Sequence, residues 1–174
     1  MALVTRRETS RGFSLTETGG NTLTNSTVET SLFSYVIPAG KMGTSKILKF
    51  EIICHITTPA LSIPSLTIKI KLGAAVLTIV STATLGAAIA DKPIKIEGTI
   101  ANLSATNAQF VYAQLTSASG SGLIFSLLSA STVVTDAAWT VDTTLDQTFA
   151  VTGQFGGLSG TTSITPKLVS IDLS

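Results

Sequence analysis

Apolar and polar residues alternate along most of the chain, and a period of two marks a strand with one buried face. In residues 45–57, SKILKFEIICHIT, Leu48, Phe50, Ile52, Cys54 and Ile56 share one side, with Lys49, Glu51 and His55 on the other. Residues 65–72, SLTIKIKL, turn Leu66, Ile68, Ile70 and Leu72 inward and Lys69 and Lys71 outward. Shorter runs have the same period. Residues 31–37 stop at the turn signal Pro38-Ala39-Gly40, and 74–80 follow Gly73 closely enough to predict a bend or tight hairpin. Residues 94–103 start after Pro93, and 108–116 follow the turn-like SATN. Residues 147–155 and 162–173 are joined by Gly156-Gly157-Leu158-Ser159-Gly160, and Pro166 in the last run implies an edge or bulge position.

These are eight principal strands. Residues 117–144 are left as a longer connection that contains LIFSLL and an extra strand around 139–143. Helical stripes are scarce, so the pattern predicts an all-β sandwich or barrel, and eight strands favour a jelly-roll β-sandwich. Numbered in order, the first, eighth, third and sixth strands should share one sheet, and the second, seventh, fourth and fifth the other. Leu48, Phe50, Ile52, Cys54, Ile68, Ile70, Phe149 and Val151 should face the space between the sheets.

The beginning of the chain reads differently. Residues 1–26 hold Arg6, Arg7 and Arg11, the only arginines present, with two adjacent glycines, many hydroxyls and few apolar side chains. The segment reads as an extended N-terminal arm ahead of a sandwich domain at 27–174, lying along its own domain or on a neighbouring subunit. The neighbour is the reading taken. Guanidinium groups form bidentate bonds to carboxylates, and Leu3, Val4, Phe13 and Leu15 are spaced to dock into shallow grooves. The candidate partner-binding residues are therefore Leu3, Val4, Arg6, Arg7, Arg11, Phe13 and Leu15.

Composition narrows the function. Only 12% of the 174 residues are charged, against roughly 25% in an average soluble domain. Ser and Thr together number 48, so hydroxyls and small apolar groups must cover much of the surface, which suits packing against neighbours. With mean hydropathy of +0.49, the chain is expected to self-associate. A net charge of +1 lacks the electrostatic footprint of nucleic-acid binding. Charge is unevenly placed: residues 1–95 carry +5 and 96–174 carry −4, an asymmetry that folding either cancels or presents to partners. A single Cys excludes an internal disulfide and fits synthesis in a reducing cytoplasm, and no apolar h-region follows the early arginines. Residues 72–90 run uncharged, near the length of a membrane span, but their Thr, Ser and Gly content argues against one.

Catalytic chemistry finds no constellation. His55 is the one histidine, and on a strand its side chain points away from that of Cys54, so the two cannot act as a pair. One His and one Cys also fall short of a zinc site. Asp136, Asp142 and Asp146 around Trp139 form the strongest acidic cluster, but their spacing matches no calcium loop, and solvated loop charges are the reading taken. GQFGGLSG lacks a following helix and reads as a hairpin connection, not a phosphate cradle. No catalytic residue, cofactor or metal ligand is nominated, and the expectation is a protein that is not an enzyme.

Three stretches carry a resemblance: TVETSLFSYVIPAGKMGTSKILKFEI, KPIKIEGTIANLSATNAQ, and VDTTLDQTFAVTGQF with the apolar strand after it. Together with the Thr/Lys-alternating strands between them, they resemble a jelly-roll module of tailed-bacteriophage virion proteins, over roughly residues 27–173. Such modules occur in capsid decoration proteins, head fibres and tail-fibre parts. The matching motifs are turns and strand starts, so no functional residue carries over. The resemblance implies a structural virion protein, made in the host cytoplasm, that decorates or cements the capsid. Its implied partners are copies of itself in a homotrimer and the major capsid protein or another virion protein, with no nucleic acid and no membrane. The alternative is a fibre or receptor-binding module that recognises a host surface ligand.

Overall fold

Alternation becomes hydrogen-bonded pairing in the computed structural model, which describes residues 4–9, 12–59, 65–84, 90–117, 132–157 and 161–174. Twelve strands and no helix are found among the described residues. The first four are β1 (Val4–Thr9), β2 (Gly12–Thr18), the two-residue β3 (Leu23–Thr24) and β4 (Thr30–Ile37). The middle four are β5 (Ile47–Thr57), β6 (Ser65–Leu72), β7 (Ala75–Thr84) and β8 (Lys92–Asn102). The last four are β9 (Gln109–Ser117), β10 (Thr132–Trp139), β11 (Gln147–Phe155) and β12 (Ser163–Leu173).

They form an all-β, two-sheet sandwich. The broad sheet runs β1-β2-β12-β5-β8-β9-β10, with β3 also pairing β12, and the narrow sheet runs β4-β11-β6-β7. Every recorded pair is antiparallel. Along β5, Leu48, Phe50, Ile52, Cys54 and Ile56 are buried while Lys49 is exposed and Glu51 and His55 are half-buried. All eight residues expected between the sheets are buried. Phe149 sits centrally, its ring centroid 5.0 Å from that of Phe50 and 6.4 Å from that of Phe33. Such aromatic pairs add to the stabilisation from burial itself.

The connection from β6 to β7 is the tight hairpin expected at Gly73, whose φ of +55° is costly for a residue with a Cβ. Pro166 occupies a bulge: the β12–β5 register shifts between Pro166 and Leu168, and β12 lies inside the sheet, not at its edge. The extra strand comes earlier than expected, at Thr132–Trp139. LIFSLL itself, with the rest of 118–131, lies outside the described residues.

The strand count needs correction. The expected first strand, β4, is joined by β11, β6 and β7, so the predicted sheet membership fails for the eight strands as numbered. The reason lies in residues 12–18, which form β2 between β1 and β12. Phe13 and Leu15 are 4% and 3% exposed, and Leu23 is 1% exposed, so this stretch belongs to the core. The expected division between an arm at 1–26 and a domain at 27–174 is therefore not observed. GFSLTET presents only two apolar residues before Glu17 breaks the period, too short a run to read as a strand. Its register comes from β12, where Leu173 faces Phe13 and Ile171 faces Leu15. With β1, β3, β9 and β10 set aside, the remaining eight strands lie as β2-β12-β5-β8 in the broad sheet and β4-β11-β6-β7 in the narrow one.

Candidate functional site

One end of the sandwich gathers four connections: residues 38–46, 73–74, 103–108 and 140–146. Strand register places them together, since Gln147 pairs Ile37, Ile47 pairs Ala101 and Trp139 pairs Gln109. Two buried amide side chains join three of these loops. Gln109 Nε2 donates to Asn102 Oδ1 at 2.9 Å and to the Val141 carbonyl at 3.0 Å, and Gln109 Oε1 accepts the Val141 N–H at 2.8 Å. Asn102 Nδ2 donates to Thr143 Oγ1 at 3.0 Å and to the Gly43 carbonyl. Thr143 Oγ1 donates to the Thr106 carbonyl at 2.8 Å, which closes the network. Buried and satisfied networks of this kind fix the backbone around them.

Further bonds seat the remaining turns. The Ala39 N–H donates to Asp146 Oδ1 at 2.7 Å, and the Gly40 N–H to the Thr143 carbonyl at 3.0 Å. Asp142 Oδ1 accepts from the Thr144 hydroxyl at 2.6 Å and from the Thr144 N–H at 2.9 Å. Those two bonds hold the Asp142 carboxyl below its ordinary pKa. On this fixed frame stand Leu103 and Leu145, 57% and 61% exposed, with exposed Val36 and Val76 on the adjoining strand ends. The nearby charges balance in sign: Lys41 and Lys46 against Asp142 and Asp146. The arrangement is an apolar rim on rigid loops, suited to docking on another macromolecule without a large ordering cost.

Sequence reasoning missed Asn102, Gln109 and Thr143. Strand parity carried a signal for the first two: Asn102 continues the inward series of Ile94, Ile96 and Ile100, and Gln109 precedes inward Val111 and Ala113. A polar residue on inward parity at a strand end needs a buried partner.

The residues nominated for partner binding lie on β1, on β2 or outside the described residues. Phe13 and Leu15 are in the core, which removes them as docking side chains. The backbones of Val4, Arg6 and Arg7 lie in β1 opposite Glu17, Leu15 and Ser14, while Leu3 and Arg11 lie outside the described residues. Among the described residues no group of three His, Cys, Asp or Glu side chains is placed to hold a metal. Asp136 is exposed on β10, away from the turns that hold Asp142 and Asp146. Cys54 is buried, and that burial pushes its thiol up to about 12. His55 points to the other face, with Nδ1 3.0 Å from Asp91 Oδ1. No helix among the described residues is long and apolar enough to cross a membrane.

On the narrow sheet, Glu29 accepts from Lys69 Nζ at 2.7 Å and from Thr152 Oγ1 at 2.9 Å, and it also pairs with Lys71. This clasp fastens the β3–β4 connection across β6 and β11. The bonds from Lys69 and Lys71 lower the Glu29 carboxyl to about 2, against a smaller opposing effect of burial.

No family model matches the chain, and no curated protein matches it. Among solved structures, it is similar to the CBM2 module of the evolved Dit of Lactobacillus casei BL23 phage J-1. That likeness has 12% identity and a TM-score of 0.36, covering 97% of this chain and 75% of the other. It is also similar to peanut lectin with a nine-residue peptide, at 12% identity and a TM-score of 0.36, covering 100% of this chain and 90% of the other. Likenesses at this level assign neither family nor function.

Proposed function

We propose that this chain is a structural, non-catalytic module of a tailed-phage virion, with a jelly-roll core, and that it decorates or cements the capsid by docking through the loop end of its sandwich. The observation that carries the reading is the pairing of exposed Leu103 and Leu145 with the buried Asn102–Gln109–Thr143 network beneath them. Rigid loops that present apolar side chains lose little conformational entropy on association, so burial of the rim translates into affinity. The order β2-β12-β5-β8 over β4-β11-β6-β7 supports the jelly-roll core, and the sequence resemblance supports the virion setting. The partner is the major capsid protein or a second copy of the chain in a trimer. Attachment through the loop end replaces attachment through an arm, because Phe13 and Leu15 are occupied inside the fold.

The test is binding to purified particles lacking this protein. Wild type should saturate them. Leu103→Asp with Leu145→Asp should lower affinity by at least tenfold, or about 1.4 kcal/mol, while the unfolding midpoint stays unchanged. Equal occupancy by wild type and the double variant would overturn the docking surface, and failure of wild type to bind any particle component would overturn the virion reading.

A further inference from the structure

The outer face of the broad sheet carries a second surface, separate from the loop rim. Cross-strand register sets two rows of side chains across β12, β5, β8 and β9. One row is Asp172, Lys49, Thr99 and Tyr112, and the next is Ser170, Glu51, Glu97 and Gln114. Between them lies a groove of about 390 Å³ with the bare backbone of Gly98 in its floor. A Cβ at Gly98 would lie 2.6 Å from Phe50 Cζ and 2.3 Å from the Tyr112 carbonyl oxygen, so a larger residue there would displace the floor.

We propose that this groove binds a neutral oligosaccharide, laid across the strands against the Tyr112 ring.

The side chains are already held for such a ligand. Tyr112 Oη donates to Gln114 Oε1 at 2.9 Å, Gln114 Nε2 donates to Glu97 Oε1, and Lys95 Nζ lies 2.9 Å from Glu97 Oε1. Burial raises the Glu97 carboxyl, but the bonds from Lys95 and Gln114 outweigh it and keep the group an anionic acceptor. Lys95 Nζ also lies 3.9 Å from Glu51 Oε2, so the carboxylates of Glu51 and Glu97 and the Gln114 amide stand side by side on the outer face, a mixture of acceptors and donors that matches adjacent sugar hydroxyls. Rows on neighbouring strands repeat every ~4.8 Å, a spacing close to the advance of one pyranose unit. Phe110, the next outward residue on β9, is 42% exposed and extends the aromatic side of the groove.

Charge selects the ligand class. Glu51, Glu97 and Asp172 outnumber Lys49 in the lining, and the balance stays negative when Lys95, which pairs with Glu97 and Glu51, is counted, so phosphates, nucleic acids and acidic sugars are disfavoured. A protein partner fits poorly, because the cores of protein interfaces are depleted in acidic side chains and no exposed large aliphatic side chain lies in the groove.

The test is a titration of the ¹⁵N-labelled full chain, followed by amide NMR, with neutral hexasaccharides of glucose, mannose, galactose and N-acetylglucosamine, and with hexagalacturonate as the anionic arm. At least one neutral sugar should shift the Glu51, Glu97, Thr99 and Gln114 amides saturably, with Kd at or below about 1 mM. Tyr112→Ala should weaken that binding by tenfold or more, Tyr112→Phe by less, and Gln114→Ala should weaken it with the dispersed spectrum retained. Absence of shifts with all four neutral sugars to about 10 mM, binding of hexagalacturonate alone, shifts confined to the loop end, or unchanged affinity in both alanine variants would each overturn the proposal. Particle binding by the rim is scored independently, so failure of one surface does not decide the other.

Discussion

The side chain of Gln109 grips the backbone of Val141 from both sides, accepting its N–H at 2.8 Å and donating to its carbonyl at 3.0 Å. A single carboxamide thereby performs the hydrogen bonding of a strand partner just after β10 ends, and it carries the ladder two residues into a loop. Replacing it with Leu keeps the volume but strands both Val141 groups and Asn102 Oδ1. Gln109→Leu should cost about 2–4 kcal/mol in urea unfolding and accelerate hydrogen exchange at the Val141 amide. A stability change below about 0.5 kcal/mol would show that the network does not set the loops.

β2 should behave as core. Phe13→Ala removes a ring that is buried and tilted against that of Tyr35, with centroids 5.1 Å apart, and should cost about 3 kcal/mol or more. Deletion of residues 1–18 should destabilise the sandwich at least as much, by baring one side of β12. A truncated chain with the wild-type unfolding midpoint would restore the arm.

The Glu29 clasp predicts an acid-sensitive term. Its carboxyl falls from an ordinary 4.5 to about 2 in the folded chain, so the stabilisation is fully present above the unfolded value and is lost as pH falls from 4.5 towards about 2. The clasp is a quarter exposed, and solvent screening reduces its worth to about 1–2 kcal/mol. Glu29→Gln should remove that share of stability at neutral pH and flatten the acid limb of a pH series of urea midpoints. Parallel acid limbs in the two proteins would locate the acid response elsewhere.

Cys54 should be inert in the folded protein. Burial that drives its thiol up to about 12 leaves almost no thiolate at pH 8, and the reagent has no path to it. Modification by an aromatic disulfide should follow global unfolding, rising with urea in parallel with the loss of structure. Rapid labelling in native buffer would contradict the packing around β5.

The long alternating strands were legible from sequence because each offers four or five inward apolar residues in register. β5 and β6 follow their patterns residue for residue. β2 was not legible, since two apolar residues cannot outweigh the hydroxyls and glycines around them and its partner lies over 150 residues away. The sheets were misassigned because β2 was left out of the numbering and β9, which extends the broad sheet beyond β8, was counted in it. The docking rim was illegible for another reason: Leu103 and Leu145 are single apolar residues in polar loops, and only strand register brings those loops to one end. The groove likewise depends on cross-strand neighbours, because Glu51, Glu97 and Gln114 are far apart in sequence and each reads alone as a solvated strand face.

The position of β12 between β2 and β5 has a consequence for how the protein is made. Of the twelve strands it leaves the ribosome last, yet it supplies the seam that joins the earliest core strand to the rest of the broad sheet. Until then β2 and β5 each lack a neighbour, and their exposed edges are available to other chains. Closure of the sheet is thus a late, long-range event, slow by its topology. A ribosome stalled before residue 163 would hold a broad sheet split into β1-β2 and β5-β8-β9-β10, which the eleven-residue β12 has still to join.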